Sequence, residues 1–384
     1  MDFDLNLENT MIRDAVKDWV SKECTREVVG QLEEQGQFPQ ELFNKLGTLG
    51  FSGMMIPERF AGAGVNTLAA CIVVEELASA YPVLANCYIG PTFFGGAVIS
   101  ELGSESQKER YLEKIAAQSL MTSLAFAEPE DADVEFTETT AKQRGDQFVI
   151  RGEKAYVSLA DQAELLIVLA RTDGAKVDDE VTLFCVDAKA EGVEVSRVDT
   201  MGQWGANTCD ISFNDVEVSA ADILGGEAQS GKGRQQLASI SDTVQLAYAA
   251  SAVGMAQGAF EYALDYARQR VQFGQVIARY PAIGHMLSDV AAKTEAARLM
   301  VYRAAWLREQ GKSCSDAINM ARCLGAEVAV KSAMDGLQIL GGYGYTMEYD
   351  IQRYVRDSTS LFSAGKSLDY LKEKISESLV QLDY

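Results

Sequence analysis

The chain has 384 residues, 47% of them hydrophobic, which is enough for a large core arranged in two or three subdomains. Its formal net charge of −22 argues against nucleic-acid binding, because such a surface repels phosphate backbones. An anionic substrate remains compatible with this charge, since a few placed cations and backbone N–H groups can hold one locally. Seven scattered cysteines without a C-x-x-C motif and a single histidine, His285, disfavour a disulfide framework and a metal site.

The sequence predicts neither a membrane span nor a secretion signal. No run of about 18 uncharged, apolar residues occurs, and the N-terminus, Met1–Leu5, is acidic rather than basic and then apolar. We therefore expect a cytoplasmic protein.

The hydrophobic pattern divides the chain into three parts. Apolar residues recur at helical spacing over residues 7–120. Short apolar or alternating runs such as Glu164–Ala170 and Val181–Val186, separated by Gly, Asp and Asn turns, then predict an antiparallel barrel or sandwich. Three long helical patterns with short joints follow. The predicted fold class is therefore α+β, with an N-terminal helical domain (1–119), a central antiparallel β domain (120–228) and a C-terminal helical bundle (229–384).

Local motifs occur in a fixed order along these three parts. They are Leu46–Phe51 followed by Gly62–Gly64, Asp210–Val218 followed by Ile223–Gly225, Arg268–Gln275, and Gln338–Tyr345 followed by Arg356–Asp357. Each motif alone is weak, but their order and spacing over nearly the whole chain resemble the acyl-CoA dehydrogenase family. The resemblance implies bound FAD, an acyl-CoA substrate, an electron-transfer flavoprotein as electron partner, and a homo-oligomer that is a dimer or a tetramer.

The resemblance also implies which residues contact FAD. Arg270 would reach the FAD of a neighbouring subunit, a role that suits its fixed fork of donors, while Gln338, Gly341 and Gly342 would hold the adenosine-diphosphate part. From the residues alone, Arg270 fits a helix C-terminus better than a diphosphate contact, and the glycine pair could be only a helix break. The full set expected at the cofactor is Phe126, Ala127, Ala132, Tyr156, Ser158, Arg270, Phe273, Gln338, Gly341 and Gly342.

Two of these segments compare differently with the family. Lys154–Ser158 is similar to its K-x-W-I-T strand, so the ring of Tyr156 would flank the flavin and the hydroxyl of Ser158 would bond its edge, although an ordinary core strand is the alternative. Phe126–Val134 departs from T-E-P-G-A-G-S-D-V, because alanines replace the threonine and the serine and because Glu130 and Asp131 make the loop bulkier and acidic. We expect altered FAD contacts at this loop.

The substrate residues also depart from the family. Asp242 keeps the aspartate that binds the CoA portion in relatives, whereas Gln245 replaces the arginine that usually neighbours the catalytic glutamate. In one branch of the family the glutamate stands beside that arginine, where this chain has Val244. Asp242 and Gln245 are therefore the expected substrate-binding residues.

The usual catalytic glutamate lies in R-D-x7-E-G-T, and this chain has Arg356-Asp357 followed by Ser363-Ala364-Gly365-Lys366. Without a gap Gly365 takes the glutamate position; with one deletion Ala364 takes it and Gly365 matches the glycine, which is the alignment we prefer. In either alignment the chain is an atypical member without a carboxylate at this position.

A missing base matters because a general base contributes roughly 10²–10⁴-fold to such a proton transfer. The replacements that the sequence offers are Glu130, Asp131, Asp369, Tyr88 and Cys87, besides a group on the substrate. We therefore expect an FAD-dependent oxidoreductase that acts on a CoA thioester, such as a cyclic or unsaturated one, with a relocated base. The alternatives are a non-redox acyl-CoA lyase and a catalytically silent subunit of a hetero-oligomer.

Overall fold

The computed structural model describes residues 4–172 and 181–380, so the first three residues of the acidic N-terminus lie outside the described residues. Helices dominate the described chain before residue 117, as predicted. They are α1 (Leu7–Glu23), α2 (Arg26–Gln35), α3 (Gln40–Gly47), α4 (Thr67–Ala80), α5 (Pro82–Ile89), α6 (Val98–Leu102) and α7 (Glu105–Ala116). A small hairpin of β1 (Met55–Ile56) and β2 (Gly64–Val65) lies between α3 and α4.

The N-terminus of α7 joins this helical part to the β domain. Ser104 and Gln107 form a capping box there, which satisfies two backbone donors of the first turn. The Gln107 side chain also donates to the carbonyl oxygen of Ile223 over 2.7 Å, and its own oxygen accepts from the N–H of Gly225 over 2.9 Å. One polar side chain therefore caps a helix and fixes the chain that leaves the sheet.

One helical stretch, Pro82–Leu102, is long and apolar enough to cross a membrane, although the sequence analysis expected no such segment. A π-helical segment, Gly90–Ala97, joins α5 to α6 within it. The stretch contains uncharged polar residues and glycines, which is why it does not stand out as a purely apolar run. Because 89% of its most apolar window is buried in the fold, it forms part of the protein core.

The described residues from 122 to 219 form a seven-stranded sheet in the order β3-β6-β4-β5-β9-β8, with β7 paired to β6. The strands are β3 (Thr122–Ala125), β4 (Thr140–Arg144), β5 (Gln147–Ser158), β6 (Leu165–Thr172), β7 (Val181–Asp187), β8 (Val193–Arg197) and β9 (Thr208–Ser219). The predicted all-β character is confirmed, and most pairs are antiparallel. However, β3 and β4 each run parallel to β6, a pairing that alternation along a single strand cannot reveal.

A register shift in β5 determines which of its side chains are buried and which are exposed. The register with β9 shifts between Lys154 and Val157, and Tyr156 adopts a φ of 58° within that shift. Lys154 is fully buried, whereas Tyr156 is 58% exposed. The shift therefore presents the tyrosine ring at the surface of the sheet.

Helices return after residue 232 and pack as a bundle, as predicted. They are α8 (Gly233–Gln269), α9 (Pro281–Glu309), α10 (Ser315–Leu340), α11 (Ile351–Thr359) and α12 (Leu368–Val380). The hairpin of β10 (Val271–Gln272) and β11 (Gln275–Val276) separates α8 from α9.

Helix α8 is held in place by an unusually close approach to α4. A Cβ added at Gly258 would lie 1.9 Å from the carbonyl oxygen of Ser79, and one at Gly254 would lie 2.2 Å from that of Glu75. The Glu75 carboxylate in turn binds Arg298 of α9 over 2.7 Å, and both side chains are largely buried. These contacts fix the long helix that forms one wall of the site described below.

We expect Gly258→Ala to lower the free energy of unfolding by about 1–3 kcal/mol, because the new methyl group overpacks the contact with α4. The matched control is Gly30→Ala in the middle of α2, where an added Cβ meets nothing within 4 Å. That change removes a flexible residue from a helix and should raise the free energy by up to about 1 kcal/mol. Denaturant unfolding at a fixed FAD concentration measures both; equal effects of the two substitutions would contradict the packing.

Candidate active site

A cleft with a cavity volume of about 940 Å³ lies between the sheet, helix α8 and the segment that follows α11. Several residues of α8 that line it recur every three or four positions, so that one long helix face borders the cleft. They include Leu237, Ser241, Val244, Tyr248, Ser251 and Met255. Phe94 also lines the cleft and packs edge-on against Tyr248, with ring centroids 6.3 Å apart.

The segment that follows α11 crosses α8 as a 3₁₀ turn, Ser360–Phe362, and a tight loop. Arg322 of α10, with 0% exposure, donates from Nη2 to the carbonyl oxygens of Leu361 and Ala364, the second over 3.1 Å. Burial lowers the pKa of Arg322 to about 10, so the guanidinium stays charged near neutral pH. A buried cation therefore holds this loop against the bundle.

Gly365 occupies a position that accepts no side chain. Its φ is +77°, and a Cβ built on it would lie 2.7 Å from Nε2 of Gln245 and 2.9 Å from Cγ1 of Val244. This geometry favours the alignment in which Ala364 takes the glutamate position and Gly365 the glycine. It also brings the two possible base positions of the family, Ala364 and Val244, to one place in the cleft, and neither residue has a carboxylate.

The acidic residues that do line the cleft are Asp242 and Asp316, at the wall formed by α8 and the start of α10. Asp242 accepts a hydrogen bond from the Ser315 hydroxyl over 2.7 Å, and burial raises the pKa of its carboxyl. The predicted substrate residues, Asp242 and Gln245, thus border the same cleft as Ala364.

The side chains considered as replacement bases do not border the cleft. They are Glu130, Asp131, Asp369, Tyr88 and Cys87. Glu130 and Asp369 face solvent. Asp131 is buried and accepts from the N–H of Phe136 over 2.7 Å, and Tyr88 is buried and donates to the carbonyl oxygen of Phe51 over 3.0 Å. None of the five side chains borders the cleft, so the structure does not support these candidates.

The loop Phe126–Val134 is held from below by a buried ion pair. The ammonium of Lys154 lies 2.7 Å from the Glu128 carboxylate and donates to the carbonyl oxygen of Phe126 over 2.9 Å. Burial alone would raise the pKa of Glu128, but Lys154 outweighs it and lowers that pKa. The ion pair therefore fixes the position of the loop relative to the sheet.

The same loop is tied to the C-terminal helices on its other side. Asp133 accepts from the backbone N–H and the hydroxyl of Ser367, both over 2.8 Å, and Arg234 of α8 donates to the carbonyl oxygen of Val134 over 2.7 Å. Glu130 and Asp131 therefore do not enter the cleft, whereas the small Ala127 and Ala132 do line it. The acidic residues Glu130 and Asp131 therefore do not change which side chains of the loop face the cleft.

One wall of the cleft fits the flavin end of FAD. Phe126, Ala127, Ala132, Tyr156 and Ser158 all line it. The open face of the Tyr156 ring gives a surface on which a planar ring system can stack. The alanines leave room for close approach of the cofactor, so the residues present are compatible with FAD.

The other residues expected at FAD form a separate patch and do not line the cleft. Arg270 lies with its guanidinium 5.5 Å from the ring of Tyr343, beside the end of α10. Phe273 is 95% exposed, and Gln338, Gly341 and Gly342 are also exposed. The predicted cofactor residues thus fall into two sets on one chain, the arrangement expected if the second set serves a neighbouring subunit.

The cleft carries several cations on a strongly anionic chain, and most of them are already bonded. Arg356 pairs with Glu33 over 2.7 Å, Lys374 pairs with Glu377 over 3.0 Å, and Arg234 holds the loop. Within residues 4–172 and 181–380, the ammonium of Lys366 has no ion-pair or hydrogen-bond partner and lies 4.6 Å from the centroid of the Tyr370 ring. An uncommitted ammonium therefore borders the cleft two residues after Ala364.

Sequence reasoning assigned no function to two of these residues. Lys366 was seen only as the residue that replaces a threonine, although its place immediately after the matched glycine is a signal. Arg322 is the charged residue in the otherwise apolar or small sequence Ala321-Arg322-Cys323-Leu324, a pattern that indicates a buried cation bonded to other parts of the chain.

Comparisons with known proteins agree with this architecture. Models of the acyl-CoA dehydrogenase family match the chain in three consecutive parts: the N-terminal domain over residues 6–119, the middle domain over 123–216 and the C-terminal domain over 231–378. Together these matches include both walls of the cleft.

Relatives extend over almost the full length of the chain. The caffeyl-CoA reductase-Etf complex subunit CarC of Acetobacterium woodii is 35% identical, covering 91% of this chain and 92% of its own. The 3-(aryl)acrylate reductase of Clostridium sporogenes is 33% identical with the same coverage, 91% and 92%. The solved structure of butyryl-CoA dehydrogenase from Megasphaera elsdenii superposes with a TM-score of 0.94 at 28% identity, covering 99% of this chain and 100% of that one.

Proposed function

The chain belongs to the acyl-CoA dehydrogenase family of FAD-dependent oxidoreductases, and within it we propose that the protein reduces an α,β-unsaturated acyl-CoA thioester, with Lys366 donating the proton to Cα. The main support for the proposal is that an ammonium group stands in the cleft close to the position where relatives have a carboxylate. The carboxylate position is empty at Ala364, and an ammonium without a bonded partner stands at Lys366.

Reduction of the carbon–carbon double bond requires two additions, a hydride equivalent at Cβ and a proton at Cα. FAD bound in the cleft, once reduced by a donor protein, would supply the hydride equivalent at Cβ. The chain must supply the proton, and a carboxylate that is ionised at neutral pH is a poor donor. An ammonium group carries the proton from the outset.

The surroundings of Lys366 tune it for this task. Burial lowers the pKa of its ammonium to about 8, against the opposing pull of Asp133 and Asp131. At pH 7 a group with that pKa is protonated in about ten molecules for each neutral one, yet it releases its proton far more readily than an exposed lysine. The lysine is therefore mostly in the acid form while its pKa lies near the working pH.

The remaining cleft residues serve binding and orientation in this proposal. Tyr156, Ser158 and the small residues of the loop Phe126–Val134 would hold the flavin end of FAD. Asp242 and Gln245 would contact the CoA thioester, and Arg322 would keep the carbonyl groups of the loop at Ala364 in place.

We also propose that an electron-transfer flavoprotein donates the electrons and that the protein is a homo-oligomer, a dimer or a tetramer. The first part is supported by the relative named as a subunit of a caffeyl-CoA reductase-Etf complex. The second is supported by the patch around Arg270, where Phe273 and Tyr345 are 95% and 89% exposed. Such large exposed aromatic residues beside a cation mark a contact surface.

Replacing the proposed donor should slow protonation selectively. Lys366→Met is expected to lower the rate of proton addition at Cα during reduction of an unsaturated acyl-CoA by about 10²–10⁴-fold, because it removes the general acid and leaves the cleft otherwise intact. The FAD-loaded protein is reduced with dithionite and mixed with the thioester in heavy water, and NMR of quenched samples follows the rate of deuterium incorporation at Cα. The parent rate should fall as pH rises through about 8, where Lys366 loses its proton, and the variant should lack that dependence.

Lys372→Met is the matched control, since Lys372 lies on α12 and pairs with Glu327 away from the cleft. It should keep the parent rate and pH profile. A Lys366→Met protein with the parent rate and profile would contradict the assignment.

Restoring a carboxylate at the base position should allow the reverse reaction, the oxidation of a saturated acyl-CoA. Ala364→Glu is expected to add oxidation of butyryl-CoA, because it places a base beside Val244 in the cleft. Bleaching of the FAD absorbance under anaerobic conditions measures the gain, and Ala364→Gln, of equal size without charge, should show none. If Ala364→Glu behaves like the parent on every thioester, Ala364 is not at the base position.

A further inference from the structure

Three buried polar atoms of residues that line the cleft have no hydrogen-bond partner in the described part of the chain. They are Oε1 of Gln245, Oγ of Ser251 and Nε2 of Gln203. The exposed fractions of these residues are 1%, 0% and 7%. A buried polar group without a partner costs about 1–3 kcal/mol, so three beside one cavity indicate that a ligand satisfies them.

The amide of Gln203 is oriented by two other bonds. Its backbone N–H donates to Oδ1 of Asp357 over 2.6 Å, and its side-chain oxygen accepts from the amide of Asn86 over 2.8 Å. With the oxygen occupied, the orientation of the amide is set and Nε2 remains as a donor. Asn86 also lines the cleft, so the donor belongs to a small polar cluster on its wall.

Ser251 supplies a second free group farther along α8. It lies seven residues after Val244, which places it on the same helix face about 10 Å beyond the empty base position. A hydroxyl can donate or accept, and this one does neither within the protein. Between the two positions the wall of the cleft is aromatic, since the rings of Tyr248 and Phe94 pack edge to face there.

We infer that the acyl group of the substrate carries a hydroxyl beyond a flat, apolar stretch, and that Ser251 and Gln203 recognise this hydroxyl. The inference rests on the proposed function and narrows its substrate class. A hydroxyl has one donor and two acceptor lone pairs, so it can bond both the serine and the amide. A purely hydrocarbon acyl group would leave both protein groups unsatisfied.

Matched ligands test this inference without turnover. The FAD-loaded, oxidised protein receives no electrons during calorimetry, so the affinities for 4-hydroxycinnamoyl-CoA and cinnamoyl-CoA can be compared directly. We expect the hydroxylated thioester to bind at least about tenfold more tightly, from two net hydrogen bonds. Ser251→Ala should reduce that preference by about 3–10-fold, because it removes a hydrogen bond to the hydroxylated thioester and does not weaken the binding of cinnamoyl-CoA, which leaves the serine hydroxyl unsatisfied.

Ser332→Ala is the control, because Ser332 is an equally buried helix serine whose hydroxyl already donates to the carbonyl oxygen of Ala256 over 2.8 Å. It should keep the ligand preference but lower the melting temperature, whereas Ser251→Ala should not lower it. Equal affinity of the parent for the two thioesters would overturn this inference alone, since ordered water would then satisfy the free atoms. Failure of both thioesters to bind would overturn the proposed function and this inference with it.

Discussion

The contact between Gly365 and helix α8 determines what the cleft can do. The left-handed glycine lies so close to Val244 and Gln245 that no side chain fits there, and the neighbouring residue is alanine. The Arg322 guanidinium holds the carbonyl groups of this loop from the opposite side. The loop is thus fixed with no carboxylate at its tip, and the next side chain that borders the cleft is the ammonium of Lys366.

The charge at the cleft is set by nearby side chains and differs from the net charge of the whole chain. A chain with a net charge of −22 places four cations around one cleft, and carboxylates neutralise two of them, Arg356 and Lys374. Lys366 keeps its charge without a bonded partner, because Asp133 is already occupied by Ser367. The acidic loop Phe126–Val134 therefore attracts the ammonium of Lys366 through Asp131 and Asp133, but neither carboxylate forms a direct ion pair with it.

Much of the fold follows from periodicity, and much of the site does not. The helical, β and helical order was predictable because long amphipathic or apolar periods dominate each part. The parallel pairing of β3 and β4 with β6 was not, since it depends on contacts between distant segments. The membrane-like length of Pro82–Leu102 was also missed, because its apolar character is diluted by glycines and polar residues.

At the site, the empty base positions could be found by motif alignment, but their meeting at Gly365 required coordinates. Glu130 and Asp131 were plausible bases by their place in the sequence, yet Glu130 faces solvent and Asp131 accepts a hydrogen bond from the backbone of Phe136 instead of entering the cleft. The free polar atoms of Ser251 and Gln203 have no sequence signature, because satisfaction of a hydrogen bond is a property of packing.

The titration of Lys366 is the most direct test of its role as the proton donor. The reactivity of each lysine toward an amine-specific acylating reagent can be followed by mass spectrometry as a function of pH, with and without an unsaturated acyl-CoA. We expect Lys366 to titrate with a pKa of about 8 and to be protected by the thioester. Titration at the value of an ordinary exposed lysine, with no protection by the thioester, would contradict it.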